Sequence, residues 1–116
     1  MITHVLAVVP VTEIAAAREW YVRLFDREPD NNPMETLIEW QLVDHGWLQV
    51  TVDAERAGTG QANLAVDDLP RHVEGLTSRG VAPSETQPVN RGVALYPVTD
   101  PDGNVVTFIG NFRVRY

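Results

Sequence analysis

Few side chains in this sequence of 116 residues can do chemistry on their own. It contains three histidines, His4, His45 and His72, and no cysteine, which excludes thiolate nucleophiles, disulfides and cysteine-held metal centres. A histidine can act as a general base or a metal ligand, but none of the three has a nucleophile or carboxylate at a sequence spacing that would indicate a catalytic site. His4 stays open between ligand contact and a plain hydrogen-bonded role, whereas we expect His45 and His72 to be solvated.

Two acidic pairs, Asp67–Asp68 and Asp100–Asp102, are the other candidates for acid–base chemistry. Asp68 stands just before Leu69, where a helix is predicted to begin and a short side-chain oxygen caps the free N–H groups. The second pair lies in a turn motif, Asp-Pro-Asp-Gly-Asn, in which aspartate oxygens accept backbone hydrogen bonds. Structural roles, as a helix cap and in a turn, therefore explain both acidic pairs better than catalytic roles do.

Hydrophobic periodicity predicts two copies of one unit built from strands and a helix. The first copy contains a strand at 4–9, a helix at 12–25 with Thr12 as its N-cap, strands at 36–43 and 47–52, and an uncertain extra strand. The second contains a strand at 61–66, a helix opening at 68–70, a weak edge strand at 81–89, and strands at 92–99 and 105–112. Gly46 and Gly103, about 57 residues apart, fall in the same late hairpin. One α+β domain is predicted, with module 1 at about 1–57 and module 2 at about 58–116.

Strand alternation divides the side chains into an apolar face and a mixed face. The apolar faces need the helices as partners, which leaves the mixed faces to line a cleft. Apolar walls with a few amides and hydroxyls suit an apolar or aromatic ligand that hydrogen bonds orient. The predicted ligand contacts are His4, Leu6, Trp47, Gln49, Gln61, Asn63, Thr107 and Ile109. Trp40 and Tyr96 either border this pocket or belong to the core.

The net charge of −7 has the wrong sign for a surface that neutralises phosphates or anionic lipid heads. Nucleic acid and membranes are therefore excluded as expected partners. No stretch approaches membrane-spanning length, and the N-terminal residues show no basic segment or cleavage site, so a cytoplasmic location is expected.

Three segments carry a resemblance to a known family. They are His4-Val5 with the helix end Trp20-Tyr21-x-x-Leu24-Phe25, then Val66-Asp67-Asp68-Leu69, then Asp100-Pro101-Asp102-Gly103-Asn104 before the last strand. Across essentially its whole length the sequence resembles the vicinal oxygen chelate superfamily, which includes glyoxalase I, bleomycin-resistance proteins and extradiol dioxygenases. The resemblance implies two βαβββ modules that form a curved mixed sheet around a cleft, with the helices on the outer face. It also implies a homodimer.

Metal-dependent members of that family hold a divalent ion through four side chains on the first and last strands of the modules. The matching positions here are His4, Gln49, Gln61 and Thr107, and Thr107 replaces the family's carboxylate. Because this set has no negative charge, the expected function is binding of a small organic molecule without a catalytic metal or other cofactor. A metal-dependent lyase, isomerase or dioxygenase using His4 and Gln61 with a carboxylate such as Glu39 remains the alternative. A structural or partner-binding dimer is the third possible function.

Overall fold

Two βαβββ modules follow one another along residues 1–112, the part of the chain that the computed structural model describes, which confirms the predicted fold class. Module 1 contains β1 (Val5–Val11), α1 (Ile14–Phe25), β2 (Asn31–Met34), β3 (Leu37–Val43) and β4 (Gly46–Val52). Module 2 contains β5 (Gln61–Val66), α2 (Leu69–Ser78), β6 (Gln87–Pro88), β7 (Ala94–Thr99) and β8 (Val105–Gly110), with a 3₁₀ turn at Asn90–Gly92.

Each module forms its own four-stranded mixed sheet. Sheet A has the order β1-β4-β3-β2 and sheet B has the order β5-β8-β7-β6. In both sheets the first and last strands of the module pair in parallel, and the remaining neighbours are antiparallel. The repeat of this order confirms the internal duplication predicted from the sequence.

The helices cover one face of the sheets and create a core that includes residues from both modules. From α1 the buried side chains are Ala17, Trp20, Tyr21 and Leu24, and from α2 they are Leu69 and Leu76. They pack on the strand residues Val9, Val11, Ile38, Trp40, Leu48, Val50, Ala62, Tyr96, Val98, Val106 and Phe108. Among residues 1–112 no helix is long and apolar enough to cross a membrane.

Two aromatic residues that were candidates for the pocket border belong to this core. Trp40 and Tyr96 are 0% and 3% exposed. Their polar atoms are paired inside the protein, because Trp40 Nε1 donates to Arg27 O at 3.0 Å and Tyr96 OH accepts from Ser84 N at 2.9 Å. Val5 differs from its prediction in the opposite sense: its place on the apolar face predicts burial, but it is the first residue of β1 and is 71% exposed.

The element boundaries show where local signals were sufficient. Asp68 caps α2 by accepting from Arg71 N at 3.2 Å, as predicted. The predicted cap of α1 is wrong: Glu13 precedes the helix without a side-chain hydrogen bond, and the Thr12 hydroxyl donates to Asp102 Oδ1 at 2.7 Å. The first strand also runs through Pro10 to Val11, which an edge strand of the sheet tolerates.

A buried polar network joins the two modules. Asp100, in the turn before β8, accepts three backbone N–H groups through Oδ1 and accepts from Tyr21 OH and Asn104 Nδ2 through Oδ2, all at 2.8–2.9 Å. Asn104 Nδ2 also donates to Pro10 O, and Asn104 Oδ1 accepts from Gly60 N, both at 2.7 Å. Burial, followed by the negative charge of Asp100, raises the pKa of Tyr21, so its hydroxyl remains a donor. The structural role expected for Asp100 is confirmed.

Candidate functional site

The open face of sheet A brings four of the predicted contacts close together. His4, Leu6 and Trp47 line one shallow pocket of about 350 Å³, together with Asn31 and Glu39. Leu6 lies opposite Trp47 in the β1–β4 pair, so an aliphatic and an aromatic side chain form adjacent walls. The fourth residue, Gln49, lies opposite Glu39 and donates from Nε2 to Glu39 Oε2 at 2.5 Å.

Glu39 is the anionic group of this pocket. It is half-buried, and its second oxygen accepts a longer hydrogen bond of 3.4 Å from Asn31 Nδ2. Two neutral amides therefore hold the carboxylate beside the apolar side chains of Leu6 and Trp47. At the pocket edge the rings of His4 and His45 meet edge to face, with centroids 5.4 Å apart.

The other four predicted contacts lie on the open face of sheet B. Gln61 and Asn63 of β5 are exposed, and Thr107 and Ile109 of β8 are half-buried. Ile109 also lines a separate pocket of about 380 Å³ whose other walls come from Leu95 and from the segments 89–93 and Phe112.

The predicted site is therefore divided between two sheets of one chain. Within residues 1–112 no strand of one sheet pairs with a strand of the other, and the sheets approach where β1 passes β5, close to Pro10 and Gly60. Each face carries its own shallow pocket. That these eight residues form a single binding site remains a prediction.

Strand pairing and helix starts allow the two modules to be aligned. Glu13 and Asp68 stand immediately before α1 and α2, and the residues seven positions earlier are Leu6 and Gln61. The equivalent of Gln61 is therefore Leu6, and His4, the residue predicted for that position, lies two residues before it.

The last strands give the same alignment. Gln49 faces Val8 across the first parallel pair, and Thr107 faces Asn63 across the second. Val8 lies two residues after Leu6, and Asn63 lies two residues after Gln61, so this pairing agrees with the alignment from the helix starts. His4 itself precedes β1, where its Nδ1 lies 2.9 Å from Thr3 Oγ1.

The side chains at the family's metal positions do not fit a divalent ion well. With Leu6 in the first position, the set becomes Leu6, Gln49, Gln61 and Thr107, which offers one hydrocarbon, two amides and a hydroxyl. Hard divalent cations favour carboxylates, and softer ones favour imidazole or thiolate. Within residues 1–112 no three His, Cys, Asp or Glu side chains form a group able to hold a metal ion.

His72 differs from its expected solvated state. It is half-buried on α2, its ring centroid is 4.4 Å from that of Phe108, and its Nε2 is buried without a hydrogen-bond partner among the described residues. Burial, and then the positive charge of Arg79, lower the pKa of His72. His72 also lines a shallow surface pocket of about 250 Å³ with Asp67, Asp68, Arg71, Gly75 and Arg79, but its contact with Phe108 assigns it to the packing of module 2.

Sequence reasoning missed Asn31 and gave Glu39 only a conditional role as a metal ligand. Glu39 shares a face with Gln49 by alternation across the β3–β4 hairpin, so its position was available from the hairpin register. Asn31 lies in the turn-rich segment before β3, and only its pairing with Glu39 reveals that it faces the pocket.

Similar solved structures identify the class. A glyoxalase/bleomycin resistance protein from Catenulispora acidiphila DSM 44928 is 33% identical, with a TM-score of 0.86, and the alignment covers 92% of this chain and 96% of that one. A bleomycin-binding protein in complex with bleomycin has a TM-score of 0.76 at 17% identity, over 94% and 98% of the two chains. A glyoxalase family protein from Bacillus anthracis has a TM-score of 0.72 at 20% identity, over 97% and 95%. No family model and no curated protein matches.

The duplicated βαβββ modules, with open sheet faces opposite the helices, define a protein of the vicinal oxygen chelate superfamily. Within that superfamily, the chain belongs to the glyoxalase/bleomycin resistance protein family.

Proposed function

We propose that this protein binds a small, largely apolar organic molecule on its open sheet faces and does so without a catalytic metal. The observation that carries the proposal is the pocket of sheet A, where Leu6 and Trp47 offer apolar walls beside hydrogen-bonding side chains. Such a combination orients an organic ligand by a few polar contacts while burying its apolar body. The bleomycin complex of a relative with the same fold supports a ligand on this scaffold.

We also propose that a second copy of the chain completes the cleft. Leu6 and Val8 are 46% and 52% exposed, although both are apolar, and they lie on the open face of the edge strand β1. Apolar groups exposed in this way are typical of surfaces that a ligand or partner covers. A homodimer is also what the family resemblance implies. The cytoplasmic location remains a prediction.

The binding proposal is tested by thermal unfolding across a panel of aromatic and aliphatic metabolites, with and without EDTA. A ligand at a hundred times its Kd adds about 2.7 kcal/mol to stability, which is roughly 10 °C for a chain of this size. Leu6→Ala should weaken binding about fivefold by removing apolar contact area. Val5→Ala is the matched control, because Val5 neighbours Leu6 in β1 but points to the opposite face.

Two results would contradict this function. A stoichiometric Zn²⁺, Ni²⁺, Mn²⁺ or Fe²⁺ ion in protein purified without chelator, lost in His4→Ala, would favour the metal-dependent enzyme. A panel that produces no thermal shift would favour the structural or partner-binding dimer.

The dimer is tested by sedimentation over a range of protein concentrations. Val8→Lys places a charge in the open face and should give a monomer, whereas Val5→Lys adds the same charge on the other side of β1 and should leave the dimer intact. Equal masses for the two variants would place the interface elsewhere.

A further inference from the structure

The carboxylate of Glu39 has hydrogen-bonding capacity that the described part of the chain, residues 1–112, does not use. Each of its oxygens accepts one amide donor, Gln49 at 2.5 Å and Asn31 at 3.4 Å, whereas an ionised carboxylate can accept about four hydrogen bonds. Both donors are neutral, so they orient the group without compensating its charge. The ion pairs within residues 1–112 use other carboxylates, those of Glu28, Asp30 and Asp53.

The surroundings of Glu39 favour a cation over other partners. Trp47 lines the same pocket and is half-buried, and the face of an indole ring attracts an adjacent positive charge. Within residues 1–112 no Lys or Arg lines this pocket. The net charge of −7 further favours the approach of cations and disfavours that of anions.

We propose that the ligand presents a cationic, N–H-bearing nitrogen, such as a protonated amine, to Glu39 while its apolar body lies against Trp47 and Leu6. This inference rests on the proposed small-molecule binding and specifies the chemical class of the molecule. Asn31 and Gln49 act as positioning residues that hold the carboxylate toward the pocket.

Three probes of matched shape separate charge from apolar contact. They are 2-phenylethylamine, which is protonated at neutral pH, the neutral 2-phenylethanol, and the anionic 3-phenylpropanoate. Each is titrated into ¹⁵N-labelled protein, and binding is followed by the indole N–H signal of Trp47 and the amide signal of Glu39. The titrations are repeated with Glu39→Gln, which preserves shape, and with Glu35→Gln, which removes an equal charge from an exposed turn.

In the unaltered protein the amine should bind about fivefold more tightly than the alcohol, the combined effect of one half-exposed ion pair and one cation–π contact. The propanoate should bind most weakly. Glu39→Gln should reduce the ratio of amine to alcohol affinity to about one, and Glu35→Gln should leave it unchanged.

Equal binding of the amine and the alcohol in the unaltered protein would overturn the assignment of a cationic ligand, and the apolar site would still stand. The same holds if Glu39→Gln keeps the fivefold preference. If none of the probes shifts the Trp47 signal, both the cation preference and the proposed binding face are refuted. The first comparison needs no variant, so it remains decisive even if Glu39→Gln folds poorly.

Discussion

Asn104 is the residue whose removal should most directly separate the two modules. Its side chain is fully buried and makes three hydrogen bonds of 2.7–2.8 Å, to Pro10 O, Gly60 N and Asp100 Oδ2. Asn104→Ala leaves Gly60 N–H without this acceptor and Pro10 O with only a long contact of 3.4 Å from Gly58 N. Asp100 loses one of five donors and keeps four.

The expected loss follows from the groups that are left unpaired. A buried donor or acceptor without a partner costs about 1–3 kcal/mol. Two such groups, together with the small void, give a predicted loss of about 3 kcal/mol. Tyr21→Phe removes only one donor from Asp100 and should cost about 1–2 kcal/mol. Each variant breaks one hydrogen bond between the modules, and the larger effect of Asn104→Ala comes from Gly60 N–H, which only that variant leaves unpaired.

Urea unfolding followed by circular dichroism, at one fixed protein concentration, measures these losses. Asn90→Ala is the control, because Asn90 is exposed and its side chain makes no hydrogen bond within the described part of the chain. A loss below about 1 kcal/mol for Asn104→Ala would show that water replaces the side chain and that the network does not couple the modules.

For two further perturbations, a change of pH and a change of glycine, the structure gives the direction of the change in stability. Because the folded state lowers the pKa of His72 below its ordinary value of 6.5, the unfolded state binds more protons below that pH. The free energy of unfolding should therefore fall as the pH drops through 6.5 and level off below the folded-state pKa. Urea midpoints at pH 5 and 7.5 should show a smaller difference in His72→Phe, but not in the exposed control His45→Gln. Gly58→Ala should destabilise the folded protein by about 3 kcal/mol or more, and Gly92→Ala by about 1 kcal/mol. Both glycines have a positive φ, but of the two only Gly58 would bring a Cβ against Asp102 O, at 2.3 Å. The same urea titration measures both losses.

The fold was predictable because its signals are local and repeated. Periodicity, the Asp68 cap and the turn before β8 each specify an element on their own, and the order of strands and helix occurs in both modules. Thr12 shows the limit of this reasoning. Its hydroxyl had two possible partners, the free N–H groups of α1 and the distant Asp102, and only the packing of module 2 against module 1 selects the second.

The candidate site was predictable face by face but not as a whole. Alternation identified which side chains share the open face of each strand, because the period of two is fixed by the backbone. It could not show that sheets A and B remain separate within the chain, since that depends on helix packing and on the polar network around Asn104. The hairpin register places Glu39 beside Gln49, but it could not show that Asn31 of β2 lines the same pocket.

The alignment of Leu6 with Gln61 has a chemical consequence that can be measured. If Leu6 occupies the family's first metal position, Thr107→Glu alone should not create a site, because one imidazole or carboxylate is still missing. Leu6→His combined with Thr107→Glu supplies both kinds of ligand beside Gln49 and Gln61, and should bind Ni²⁺ at least about tenfold more tightly than the single variant. Calorimetric titration measures both affinities. If both variants bind equally and more tightly than the unaltered chain, His4 already serves as the ligand. If the double variant binds no better than the unaltered chain, the two open faces do not meet.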